Sequence, residues 1–173
     1  MVTDILEQLK GGDRRSIGRA NEVVTEVLDK PELFEILIAG MTHEDPVVRM
    51  RAADAVEKIS AHEPQFLEGH EADLIEIGGQ TKQQELRWHF AQISPRLSLD
   101  ENEQKQVVEI LRAYLTDESK IVQVSALQAL ADLVEKDVAL LDEVYKVVER
   151  QTITGSPAVK SRSKKIKPFS QLF

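Results

Sequence analysis

The side chains here with the means to do chemistry are four histidines, an excess of carboxylates, and two short basic runs, one of which holds the only tryptophan. His43, His62, His70 and His89 fall in four different segments, and none has the spacing of a zinc-binding helix such as His-Glu-x-x-His. His62 and His70 each precede a glutamate, but adjacent residues on a helix point apart and do not share a face. There is no cysteine, which excludes disulfides, thiolate metal sites and a cysteine nucleophile within this sequence. Asp4, Glu7, Glu22, Glu26, Asp54 and Glu57 recur at helical spacings, and a solvated helix face accounts for them. No nucleophile elbow, phosphate-binding loop or dinucleotide fingerprint occurs. The expectation is a non-enzymatic protein with no catalytic residues, no metal and no cofactor.

The basic runs point to binding. Arg49-Met50-Arg51 and Arg87-Trp88-His89 share one order, basic, apolar, basic, 38 residues apart. They belong to a wider recurrence. In Asp45–Ile59, DPVVRMRAADAVEKI, Asp45 is a good helix N-cap and Pro46 suits the first helical position. Val48, Ala52, Ala55, Val56 and Ile59 then fall along one helical face. With Val48 as anchor, the equivalents are Ser16, Leu86, Val122 and Val159, at spacings of 32, 38, 36 and 37 residues. Four positions past the anchors lie Ala20, Ala52, Phe90, Ala126 and Ser163; seven past lie Val23, Ala55, Ile93, Ala129 and Ile166; eleven past lie Val27, Ile59, Leu97, Leu133 and Ser170. Small residues in one column let helices approach closely, and bulky aliphatics in the others fill the space between them.

Other helical segments alternate with these, roughly 2–9, 31–41, 64–77, 101–115 and 137–150. Gly11-Gly12, Gly78-Gly79 and Gly155 read as their stops, and Ser98-x-x-Glu101 and Thr81-x-x-Gln84 as capping boxes. Pro95 implies an early end or a kink in the third unit's second helix. The unit is helix, turn, helix, about five times over, with approximate bounds 1–30, 31–62, 63–98, 99–135 and 136–173. Polar Ser163 and Lys167 at core columns suit a terminal capping unit.

The phrase DPVVRMRAADAV resembles the second helix of a HEAT repeat, of the kind also found in bilin lyases. SKIVQVSALQAL and DRRSIGRANEVV are fair matches to it. The resemblance implies an all-α fold, an α-solenoid of about five HEAT-like helix pairs in one domain, with the second helices lining the concave side. Positions in register then form rows. One past the anchor stand Ile17, Arg49, Arg87, Gln123 and Lys160; three past stand Arg19, Arg51, His89, Ser125 and Arg162. Between these basic rows lies Gly18, Met50, Trp88, Val124 and Ser161, about 200° from the anchor and away from the core of each pair. An apolar strip of Met50, Trp88 and Val124 flanked by Arg19, Arg49, Arg51, Arg87, His89, Lys160 and Arg162 is a candidate groove for an unknown protein partner. Structural pairing of the arginines with acids and helix C-termini is the competing account of the basic rows. Packing of the apolar strip between adjacent helices is the competing account of the tryptophan row.

Charge bears on the partner. Net charge is −8, yet the last 17 residues hold five basic side chains and no acid, leaving 17 basic against 30 acidic in the first 156. The acidic body argues against general nucleic-acid binding, although some HEAT-like proteins are DNA glycosylases with a basic concave face. An accessory role like that of bilin lyases is a further alternative. The basic end and acidic body suggest weak head-to-tail self-association. No apolar run is long enough to span a bilayer and no secretory signal opens the sequence, so a cytoplasmic location and no membrane partner are expected.

Overall fold

A computed structural model describes residues 4–13, 15–166 and 169–172. Among them there is no strand, and ten α-helices account for most of the chain. They form two compact units, Met1–Ser98 and Leu99–Phe173.

The first unit holds α1 (Ile5–Leu9), α2 (Ala20–Asp29), α3 (Phe34–Gly40), α4 (Pro46–His62), α5 (Glu71–Gln80) and α6 (Gln84–Ile93). Short 3-10 turns at Pro31–Leu33 and Pro64–Leu67 precede α3 and α5, and one at Ser94–Arg96 follows α6. Asp45 caps α4 by accepting the Val47 N–H at 2.8 Å, with Pro46 in the first turn as expected. α4 is the hub, packed on α1, α2, α3 and α6. This is why Met50, Arg51 and Ala53 are buried as well as Val48, Ala52, Ala55, Val56 and Ile59. Its four alanines, Ala52, Ala53, Ala55 and Ala61, keep its girth small, and three of them lie inside.

The second unit holds α7 (Glu101–Tyr114), α8 (Lys120–Lys136), α9 (Leu141–Thr154) and α10 (Pro157–Ser163), with 3-10 turns at Val138–Leu140 and Phe169–Leu172. Here α8 is central, packed on α7, α9 and α10. It too is buried on several sides, through Val122, Ala126, Leu127, Ala129, Leu130 and Leu133 among others.

The columns read from the sequence are the core. Every residue four, seven and eleven positions past the anchors is buried except Ser170, which is half-buried. Ser163 is fully buried and donates its hydroxyl to the Val159 carbonyl at 2.8 Å, so a polar core position carries no unmet hydrogen bond. Lys167, and the expected helix start at Val2, lie outside the described residues.

Four local expectations are corrected. Ser16 and Ile17 are not on a helix: α2 begins only at Ala20, after a loop that passes through positive φ at Gly11, Gly12 and Gly18. Gly78 and Gly79 do not end α5, which runs on to Gln80; a Cβ at Gly78 would stand 2.6 Å from three ring atoms of Phe90, so glycine there permits close packing on α6. The capping box at α7 is Asp100 with Glu103, two residues later than Ser98 with Glu101. Asp100 accepts the Glu103 N–H at 2.8 Å and Glu103 accepts the Asp100 N–H at 2.9 Å. A carboxylate is the stronger acceptor at a positive helix end, which favours Asp100 over Ser98. Thr81 follows α5 as its C-cap and Gln83 precedes α6 without a side-chain cap, so no box forms with Gln84. At Pro95 the expectation of an early end holds, since α6 stops at Ile93.

Candidate functional site

Arg51 is the largest fully buried side chain in the described structure, 2% exposed, and no carboxylate pairs with it. Its guanidinium faces main-chain carbonyls instead. Nη1 donates to Leu9 and Gly11 at 2.7 and 2.6 Å and more distantly to Lys10; Nε donates to Ser16 at 3.1 Å and Nη2 to Asp13 at 3.3 Å. Leu9 ends α1, so the cation sits at the negative end of that helix and satisfies carbonyls that the helix cannot. Gly18, at φ +53°, closes over it: a Cβ there would lie 2.7 Å from Arg51 Cζ. Arg51 therefore ties Leu9, Lys10, Gly11, Asp13 and Ser16 to α4 through one guanidinium.

The row one past the anchor does similar work. Arg49 donates through Nη1 to the His43 and Glu44 carbonyls at 2.8 and 3.0 Å, and through Nε to Gln83 at 2.8 Å. Gln83 in turn donates to the Pro46 carbonyl at 2.9 Å. Arg87 donates to the Lys82 carbonyl at 3.2 Å, and Gln123 to the Asp117 carbonyl. Each of these side chains reaches back to the turn ahead of its own helix. Arg49 also reaches forward to the residue before α6, and Gln123 accepts from Ser156, the residue before α10.

The remaining candidate positions are dispersed in character. Arg19 is the exposed N-cap of α2 and pairs with Glu22 at 2.6 Å. Met50 is buried at 7% exposure, while Trp88 and Val124 are half-buried. Lys160 is half-buried on α10, and exposed Arg162 donates to Gln128 at 3.2 Å. Trp88 leans on the ring of His89, centroid to centroid 5.6 Å at 55°.

His89 is 8% exposed, and its Nδ1 has no hydrogen-bond partner. Burial pushes its pKa below the usual 6.5, and the nearby Asp54 and Glu57 carboxylates on α4 oppose this only in part. A depressed histidine pKa means that, as pH falls below about 6.5, the unfolded chain takes up a proton the folded one resists. Stability from this source is complete above that pH and is lost as pH drops towards the folded value. His89→Gln is expected to flatten the pH dependence of the first unit's denaturation midpoint below about pH 6.5. An unchanged slope would show that other groups set it.

Two clefts open between helices of the other set. The one between α3 and α5 has a volume of about 630 Å³ and an apolar floor of Ile38, Met41, Ile77 and Leu86. Glu35, Asp73 and Glu76 stand around it, and none of the three is in an ion pair among the described residues. Arg49 reaches the same cleft with its donors already directed to His43, Glu44 and Gln83. A shallower extension past Glu35 and His70 reaches Phe34 and Phe66, whose rings meet edge to face at 5.2 Å. The cleft between α7 and α9, about 720 Å³, differs in charge: Arg112, Lys146 and Arg150 stand there with Glu109, Asp142 and Glu143. Arg49 apart, these clefts lie off the rows formed by the second helices. The available signal was the pairing of Ile38 and Ile77 with acids a turn away on otherwise ordinary amphipathic helices.

Among the described residues no group of three or more His, Cys, Asp or Glu side chains is placed to hold a metal ion, and no helix is long and apolar enough to cross a membrane. Comparison with protein-family models, with curated proteins and with solved structures finds no match to this chain.

Proposed function

We propose that the chain is a non-enzymatic protein-interaction module, a short α-solenoid of HEAT-like helix pairs that holds a partner protein on its second-helix face around Trp88. The observation that carries this reading is the contrast along that face. Arg49, Met50, Arg51 and His89 are directed into the protein or buried in it, whereas the sole tryptophan beside them keeps part of its indole at the surface. A large amphipathic ring on a rigid helix, with ordered neighbours, is the kind of anchor that binding hot spots use. The successive packing of α2, α4 and α6, and the contact of α8 with α10, support a stacked arrangement of helix pairs within each unit. The same hydrogen bonds weaken the alternative of nucleic-acid binding on a basic face, because Arg51 has no donor left at the surface to meet a phosphate.

Affinity capture followed by quantitative mass spectrometry tests the reading. Trp88→Ala, folded as judged by circular dichroism, is expected to lose at least about ten-fold of the partner recovered by the unaltered chain, the size of effect a buried aromatic anchor has. Equal recovery by both proteins would remove Trp88 from the binding surface.

A further inference from the structure

Trp88 does not line the α3–α5 cleft, whose chemistry asks for a different occupant. It has an apolar floor and three carboxylates, Glu35, Asp73 and Glu76, without ion-pair partners among the described residues. Such a cleft repels phosphates and anionic lipid and attracts long cationic side chains, whose methylene stems cover apolar surface while their heads reach the rim. The chain itself carries a group of that kind. On α10 and the turn after it, Arg162, Lys164 and Lys165 are exposed and Lys160 is half-buried, with no acid anywhere from residue 157 to 173. Arg162 is directed to a neutral partner, Gln128. The cleft between α7 and α9, by contrast, balances its acids with its own three cations and offers no such complement.

We infer that the α3–α5 cleft of one copy receives the cations of α10 and its following turn from a second copy. The two surfaces are different patches of the molecule, so the contact is head-to-tail and leaves a free cleft and a free basic end on every pair. Association is consequently concentration-dependent and extends beyond dimers. It is also sensitive to salt, because exposed charges are screened over about 10 Å at 0.1 M and about 3 Å at 1 M. This inference goes beyond the proposed Trp88 surface and does not depend on it.

Light scattering on the full chain provides the test. At low ionic strength the weight-average mass is expected to rise with concentration above the 19.5 kDa of one chain, and to return to it at about 1 M salt. Asp73→Lys with Glu76→Lys places two lysines in the cleft, opposite the basic end; Arg162→Glu with Lys165→Glu places two glutamates on that end, opposite the acidic cleft. All four side chains are exposed, so folding should survive. Each doubly substituted protein is expected to stay at monomer mass alone, and a mixture of the two to regain association. Monomer mass for the unaltered chain at every concentration would overturn the inference. So would association that persists in either substituted protein, or that is indifferent to salt, since another surface would then be responsible. Trp88→Ala is expected to associate like the unaltered chain.

Discussion

Arg51→Met is expected to destabilise the first unit by about 3–5 kcal/mol, because several main-chain carbonyls lose hydrogen bonds to a charged donor, each worth about 1.5–3 kcal/mol before partial recovery by water. Methionine matches much of the arginine's length and apolar volume, so the change isolates the guanidinium. Without it, the carbonyls of Leu9, Lys10, Gly11, Asp13 and Ser16 lose the donor they share. An unmet buried polar group costs about 1–3 kcal/mol, and those in the exposed part of the loop recover some of this by hydration. α1, only five residues long, has little helical stability of its own and depends on being held at its C-terminal end. Arg51→Lys is expected to recover less than half of the loss, because an ammonium has three donors and no planar fork to span carbonyls as far apart in sequence as Leu9 and Ser16. Urea denaturation followed by circular dichroism measures both. A loss within about 0.5 kcal/mol for Arg51→Met, the usual range for a surface change, would refute the clamp.

Phe90→Ala is expected to cost about 3–5 kcal/mol as well, through a cavity between α5 and α6. Phe90 is fully buried and lies against Gly78, where any side chain would meet the ring at 2.6 Å. Gly78→Ala alone is therefore expected to cost about 1–3 kcal/mol by overpacking. The pair is coupled. In the Phe90→Ala background the methyl at position 78 enters space the ring has vacated, and alanine improves helix propensity by about 1 kcal/mol over glycine. Gly78→Ala should then be neutral or stabilising, a reversal of sign that a double-mutant cycle on denaturation free energies detects. Simple addition of the two losses would show that glycine at 78 serves some purpose other than room for the ring.

The helices and their buried faces were legible in the sequence because periodicity reports them directly. The columns Ala20–Ala52–Phe90–Ala126–Ser163 and Val23–Ala55–Ile93–Ala129–Ile166 needed only spacing to find, and the structure buries all ten residues. Local chemistry was less legible where two acceptable signals compete within a few residues. Ser98 and Asp100 both head a plausible capping box, and the carboxylate prevails. Gly78-Gly79 looks like a stop until the ring opposite is known, since a glycine's reason can lie on another helix. The first unit's helix start was misplaced for a tertiary reason. Ser16 to Arg19 continue the repeat's register in sequence, yet Gly18 folds the chain over Arg51, a residue 33 positions away.

The candidate site was legible by residue type and not by role. Rows of arginine in register are the same in sequence whether they face a groove or reach back to a turn. Which they do depends on which main-chain carbonyls stand within reach, those of the preceding turn for Arg49 and those of the end of α1 and the segment after it for Arg51. For Arg49 and Arg51 those carbonyls are within 2.6–3.3 Å, and most of their hydrogen-bonding capacity is turned inward. Trp88, on the same face, has no such tie and remains the better candidate for contact with a partner. The α3–α5 cleft needed coordinates, because its walls come from segments some 40 residues apart whose patterns are individually unremarkable amphipathic helices.

The central claim is that Arg49 and Arg51 on α4 turn their guanidinium groups inward and tie neighbouring segments together, with Arg51 binding α1 and its loop to α4. Hydrogen exchange of the unaltered chain tests it most directly. If the claim holds, amides in α1 and in the loop to Gly18 are protected well above the exposed-chain rate and open together with α4, as one cooperative unit. If residues 4–13 and 15–18 exchange at the rate of a free peptide while α4 stays protected, the guanidinium is not holding them and the claim is contradicted.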